Sequence, residues 1–275
     1  MKQLKYVNSQ NETIDFRSFE TQIFEGNFHT YEWKYEGTSQ DYGMDIEEYT
    51  KDPLELNMIV AARSADRAQQ LNRILEITEY DIVNKVRGKL YWGDYYIQCN
   101  IISATTTPSE EFFGAQREMK IVAPRAFWIK EAFRQFFAGG SETEEGGLNY
   151  PYDYPYNYAG RSKGAARWST GHFAPSEFKL TIYGPCVNPR INIAGHPYQI
   201  LDTVETGEYA TINSRDLTIT KNRSNGTVGN IWDKQAKENS VFQKIPGGTI
   251  DIGWNGNFGF DLTLYQERSE PAWWS

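Results

Sequence analysis

Apolar and polar residues alternate along most of this chain. Phe178, Leu180 and Ile182 are separated by polar positions, as are Ile191 and Ile193, Leu217 and Ile219, and Ile250, Ile252 and Trp254. A period of two places each set on one face of a β-strand. Turn residues punctuate the runs. Gly93-Asp94 joins 90–92 to 95–99 as a two-residue hairpin, and Ala194-Gly195-His196-Pro197 turns 191–193 into 198–201. Asn255-Gly256 follows Trp254 and leads to Phe258, Phe260, Leu262 and Leu264. It reads as the tip of a final hairpin, because Asn-Gly tolerates the positive φ that both turn residues need. Short strands roughly 8–12 residues apart predict an antiparallel sandwich.

Two stretches depart from this period. Ala68, Leu71, Ile74, Leu75 and Thr78 recur near 3.6 residues and predict a helix over about 64–77, capped by Ser64 with Asp66 in its first turn. Trp128, Ala132, Phe133, Phe136 and Phe137 predict a second helical piece over 127–137, ended by Gly139-Gly140. The acidic, glycine-rich stretch 139–147 then separates two regions. The expected fold is mainly β. Residues 1–138 form a mixed β domain with one convincing helix, and residues 139–275 form an antiparallel β-sandwich. No repeat at solenoid or propeller spacing occurs.

Composition narrows the function. Of 275 residues, 39% are hydrophobic and 15% aromatic, so rings supply much of the core. A net charge of −8 argues against a nucleic-acid-reading surface, which needs a basic patch. It is compatible with an acidic wall past which DNA slides. The N-terminus has no apolar signal region, and no run is long enough to span a membrane, so synthesis in the cytoplasm is expected. Cys99 and Cys186 are far apart and are expected to be buried free thiols.

Catalytic patterns are missing from the sequence. His29, His172 and His196 are scattered, without the spacing of a metal site, and His196 reads as a turn residue. There is no nucleophile elbow, P-loop or dinucleotide fingerprint, and the glycine-rich run 253–259 lies within the predicted hairpin. The acidic pairs read as solvated surface. We therefore expect no catalytic residue, no cofactor and no metal.

Packing and docking are better candidates. The run 150–158, YPYDYPYNY, is an extended strap, because each Pro fixes φ and pushes the Tyr before it toward extended geometry. It is either a structured crossing between domains or a docking arm. Its Tyr152, Tyr154 and Tyr156 are candidate interaction residues, as are Trp273 and Trp274, which would pack on this subunit or on a neighbour.

The strap, followed by GPCVNPRINIAGHPYQ (184–199), GEYATINSRD (207–216) and GFDLTLYQERSEPAWW (259–274), resembles the distal tail proteins of long, non-contractile-tailed phages and prophages, chiefly those of Gram-positive hosts. Weaker echoes are LNRILEITEYD (71–81) and GKLYWGDYYIQC (88–99). The resemblance implies an N-terminal belt domain that forms a hexameric ring with a channel for DNA, and a galectin-like C-terminal sandwich. It implies a virion component at the tail tip, not an enzyme. Its partners would be further copies of itself, the tail tube protein, a tail-tip or tail-associated protein, and the receptor-binding protein. The alternative is a carbohydrate-binding module or adhesin for cell-wall glycan, although the length leaves no room for an inserted sugar-binding domain.

Overall fold

The computed structural model describes residues 3–18, 21–62, 67–109, 114–139 and 164–273. These form two compact units: residues 1–130 with 267–275, and residues 131–266. The described part is mainly β with one α-helix.

The first unit runs β1 (Leu4–Val7), β2 (Thr13–Asp15), β3 (Thr21–Gly26), β4 (Lys34–Gln40), β5 (Gly43–Thr50), β6 (Leu54–Ala62), α1 (Arg67–Val83), β7 (Gly88–Trp92), β8 (Tyr95–Ser109) and β9 (Gly114–Ala123), and it holds the start of β10 (Trp128–Phe136). Strand β8 serves two sheets. Its first residues pair with β7, which continues through β1 to β2, and its later residues pair with β9, which continues through β6 to β3. The pairing shifts between Ile101 and Ser103, and such a bulge bends a strand and redirects its faces. Leu4, Tyr6, Leu56, Met58, Val60, Leu90, Ile97, Met119, Ile121 and Trp128 fill the core, and α1 adds Ile74 and Ile77.

A buried polar network fixes the last turn of α1 to β1. Asp81 is fully buried. Its Oδ2 accepts from the Tyr6 hydroxyl at 2.7 Å, and its Oδ1 accepts from Ser9 N at 3.0 Å and Ser9 Oγ at 2.7 Å. Burial, and then the bond to Asp81, push the Tyr6 phenol far above its ordinary pKa. Gly88 is required beside it, because a Cβ there would meet the Tyr6 hydroxyl at 2.2 Å.

The second unit runs from the rest of β10 through β11 (Ala165–Ser169), β12 (Glu177–Tyr183), β13 (Cys186–Val187), β14 (Arg190–Ile193), β15 (His196–Gln199), β16 (Thr203–Val204), β17 (Tyr209–Asn213), β18 (Thr218–Asn222), β19 (Val228–Asn230) and β20 (Thr249–Trp254) to most of β21 (Phe260–Arg268). It is an antiparallel sandwich. One sheet has the order β19-β18-β17-β12-β21, and the other has the order β11-β20-β14-β15. Phe178, Leu180, Ile182, Ile212, Phe260, Leu262 and Leu264 from the first sheet meet Ile191, Ile193, Tyr198, Ile250 and Ile252 from the second. The period of two in the sequence is thus the inward face of each strand.

Five local expectations change. The helix begins at Arg67 and runs to Val83, past the expected end, while Ser64 and Asp66 lie outside the described residues. The helix expected over 127–137 is strand β10. There Phe133 is 58% exposed while Trp128 and Phe136 are buried, so the five apolar residues divide between two strand faces. The run from Ile250 to Leu264 is not a hairpin. Strand β20 pairs with β11 and β14, whereas β21 pairs with β12, so Asn255-Gly256 carries the chain from one sheet of the sandwich to the other. Leu217 has φ 52 and lies exposed in the turn before β18, and only Ile219 reaches the core. The turn after β14 needs two residues, Ala194 (φ 49) and Gly195 (φ 81). His196 therefore opens β15, with Nε2 2.8 Å from the Ser240 carbonyl oxygen.

Replacing Asp81 with Ala should leave the Tyr6 hydroxyl buried without an acceptor and unlatch α1. A loss of about 1–3 kcal/mol is expected by urea unfolding. Unchanged stability would show that the network holds nothing.

Candidate functional site

The described residues show no chemical centre. No group of three or more His, Cys, Asp or Glu among them is placed to hold a metal, and none of their helices is long and apolar enough to cross a membrane. Cys99 is buried and its thiol is pushed up to about 12, chiefly by burial, so it is inert as a nucleophile. Cys186 is half-buried rather than buried, and its thiol is likewise raised, to about 11. Both thiols are free.

Surfaces are more informative, and three belong to the first unit. The first is the hairpin of β4 and β5. Every residue in both strands is exposed, and the two pair only with each other. The register places Ser39 opposite Met44, Gly37 opposite Ile46, and Tyr35 opposite Tyr49. These pairs share one face. The other face carries Lys34, Glu36, Thr38, Asp45 and Glu48. A register shift between Glu36 and Gly37 makes this segregation possible. The extra residue, Glu47, restores Tyr49 to the side of Ile46 and donates nothing to the apolar row, its carboxylate instead accepting from Thr38 Oγ1 at 2.6 Å. The arm therefore has one apolar face and one acidic face.

Lys51 fixes the root of this arm. Its ammonium lies 4.4 Å from the Phe127 ring centre, 4.6 Å from Trp33 and 5.7 Å from Tyr31. It donates to the Ala126 carbonyl at 3.1 Å and to Ser269 Oγ at 2.8 Å. Burial lowers its pKa, and the ring faces offset part of that cost. Lys34 and Asp52 form an ion pair across the same root, beside a polar hollow of about 290 Å³.

The second surface is the free edge of β8. Beyond Cys99 the side of β8 that faces β7 has no strand partner among the described residues. Residues 102–108 are exposed, and nothing from Asn100 to Ser109 is ionisable. The solvent face of the same sheet is polar. It carries Asn57, Gln116, Glu118, Thr105 and Thr107, with Lys120 held by Glu55 at 2.8 Å.

The third surface is where Trp273 sits. Its ring stacks on His29, with centroids 3.8 Å apart and planes 22° from parallel, and His29 meets Trp92 edge-on at 5.4 Å. Trp273 nevertheless remains 60% exposed. Of the residues singled out in the sequence it is the one described. Tyr152, Tyr154, Tyr156 and Trp274 lie outside the described residues, as does the whole strap.

No protein-family model matches the chain, and no curated protein matches it. Solved structures do. One is the Dit (gp 19.1) protein of phage SPP1, described as a paradigm of the hub adsorption apparatus in phages that infect Gram-positive bacteria. It is 8% identical, the match covers 96% of this chain and 99% of that one, and the TM-score is 0.61. A chain of the phage P2 baseplate in its activated conformation with Ca is 14% identical over 98% of this chain and 100% of that one, at a TM-score of 0.65. The corresponding structure with Sr gives 14% identity, the same coverage and a TM-score of 0.62. This chain shares its fold with these phage proteins.

The sandwich unit has an open groove of about 630 Å³, lined by Asn188, Arg190, Asn192, Gly253, Trp254 and Asn255 among others. It offers no flat exposed ring for a sugar to stack on. Trp254 is half-buried, packs edge-on against Phe136 and Phe260, and donates Nε1–H to the Phe258 carbonyl at 3.1 Å.

Trp273→Ala should remove the stack on His29, worth about 1 kcal/mol. Carboxypeptidase should then trim the end of the chain toward residue 269 several times faster than in the wild type. Equal trimming rates would show that the stack does not hold the segment.

Proposed function

We propose that this protein is a structural hub of a phage tail: a homohexameric ring at the tail tip that joins the tail tube to the tail-tip and receptor-binding proteins and lets DNA through its centre. It acts as a virion component and not as an enzyme. The observation that carries this reading is the open, uncharged edge of β8 in the first unit.

An exposed strand edge is a template for another chain, and proteins that remain single blunt such edges with charge, proline or a bulge. Residues 102–107 carry neither charge nor proline; Pro108 comes only at the far end of the edge and the bulge at Ile101–Ser103 at its near end. A second copy pairing there makes a head-to-tail contact, and contacts of that kind either close into a ring or run on as a fibre. Closure gives the β8 edge of every copy a partner. The polar face with Asn57, Gln116, Glu118, Thr105 and Thr107 then lines the channel. It has no excess of positive charge, so it would not retain a phosphate backbone. The sandwich unit is left for the partner proteins.

Light scattering should give a species about six times the 31.7 kDa subunit, in equilibrium with single subunits on dilution. Thr105→Lys combined with Thr107→Lys should shift that equilibrium to the single subunit while leaving the circular dichroism unchanged. A wild-type protein that stays at one subunit mass at every concentration would falsify the self-assembling ring.

A further inference from the structure

The outer face of the β11-β20-β14-β15 sheet carries a groove with a floor of small residues. Ile191, Ile193, Ile250 and Ile252 point into the sandwich core, so Arg190, Asn192, Asp251 and Gly253 point out. The register sets Ala165, Gly253 and Asn192 side by side across β11, β20 and β14. This row crosses about 10 Å, the span of three adjacent strands.

Gly253 is what opens the groove. Gly164 and Gly256 have φ 82 and 75, in the left-handed region that favours glycine. Gly253 lies outside that region, and a Cβ there would meet nothing closer than the Gly164 carbonyl oxygen at 4.0 Å. Neither its backbone nor its packing asks for glycine, although glycine weakens a strand. A glycine of this kind marks a place where a ligand or another backbone comes close.

The polar groups around the floor suit a peptide. Asn188, Arg190, Asn192 and Asn255 are all exposed. Asn255 Oδ1 accepts from Asn257 N at 3.1 Å, which leaves its NH2 to donate. The other two amides and the Arg190 guanidinium have no side-chain partner among the described residues. An amide both donates and accepts, so it can meet the N–H and C=O of an extended chain, and a guanidinium meets a carboxylate through two parallel bonds. No carboxylate lines the groove, and Asp251, two residues along β20, is held by Arg167 at 2.8 Å. With no flat exposed ring, the site is poorly made for a sugar. An open groove also lets a chain run through it, so the carboxylate belongs to a side chain and not to a terminus.

We infer that this groove holds an extended segment of a partner protein, with its backbone over Gly253 and an Asp or Glu side chain on Arg190. The floor has room for about three residues of such a segment. On the hub reading, on which this rests, the partner is another protein of the tail.

The test exposes the full chain to an array of short synthetic peptides, each with a central Asp or Glu, beside the same peptides with Asn or Gln there. The acidic members that bind should do so about tenfold more tightly than their amide counterparts. Arg190→Ala should abolish that preference. Gly253→Val should weaken binding about tenfold while leaving the melting temperature at or above the wild-type value, since its Cβ meets only open space and Val favours strands. No peptide bound, equal binding of acidic and amide peptides, affinity untouched by Gly253→Val, or capture of cell-wall oligosaccharides in place of peptides would each overturn the inference. Acidic-peptide binding by a protein that stays a single subunit supports the groove and overturns the ring alone.

Discussion

Strand parity is the constraint on which the rest of this structure depends. Side chains alternate across a strand, so one residue gained or lost turns an apolar face into a polar one. The sandwich meets this constraint with uninterrupted alternation: Phe178, Leu180 and Ile182 point inward while Lys179 and Tyr183 point out. The first unit meets it with register shifts, at Ile23–Glu25, at Glu36–Gly37 and at Ile101–Ser103. Each shift re-aims a strand without breaking its ladder. The shift in the arm gathers four apolar side chains on one side, and the one in β8 lets a single strand complete two sheets.

Parity also explains what the sequence discloses and what it hides. The strands of the second unit were legible because their alternation is unbroken and their cores are strongly apolar. Helix α1 was legible from Leu71, Ile74 and Thr78, though not its length, because its last turn is fixed by Asp81, a buried carboxylate that looks like a surface residue in the sequence. Strand β10 was misread because Phe133 and Phe137 are apolar on an exposed face, which breaks the period of two. The sheet crossing at Asn255-Gly256 looked like a hairpin because a turn signal says that the chain bends, not which strand it meets next. The arm went unnoticed for a related reason: Glu47 interrupts its alternation, so Met44, Ile46 and Tyr49 fit neither period. The plain signal at β8, ten residues without a charge, was there to be read.

Aromatic side chains hold the first unit at its margins. Lys51 sits among Phe127, Trp33 and Tyr31 at the foot of the arm, and Trp273 lies on His29 at the end of the chain. Ser269 links the two, since it takes a hydrogen bond from Lys51. The root of the arm and the segment around Ser269 are thus fastened by the same lysine, and a disturbance of either reaches the other through one side chain.

The chain leaves the first unit in β10 and comes back to it in β21, so the second unit is an insertion and both ends of the described chain belong to the first. A ribosome delivers residues in order, so the segment carrying Ser269, Pro271 and Trp273 emerges only after every strand of the inserted sandwich. The first unit therefore cannot complete its packing until the sandwich has been made, although most of its strands are exposed early. The sandwich can fold first, while its host still waits for the segment that lies beyond it.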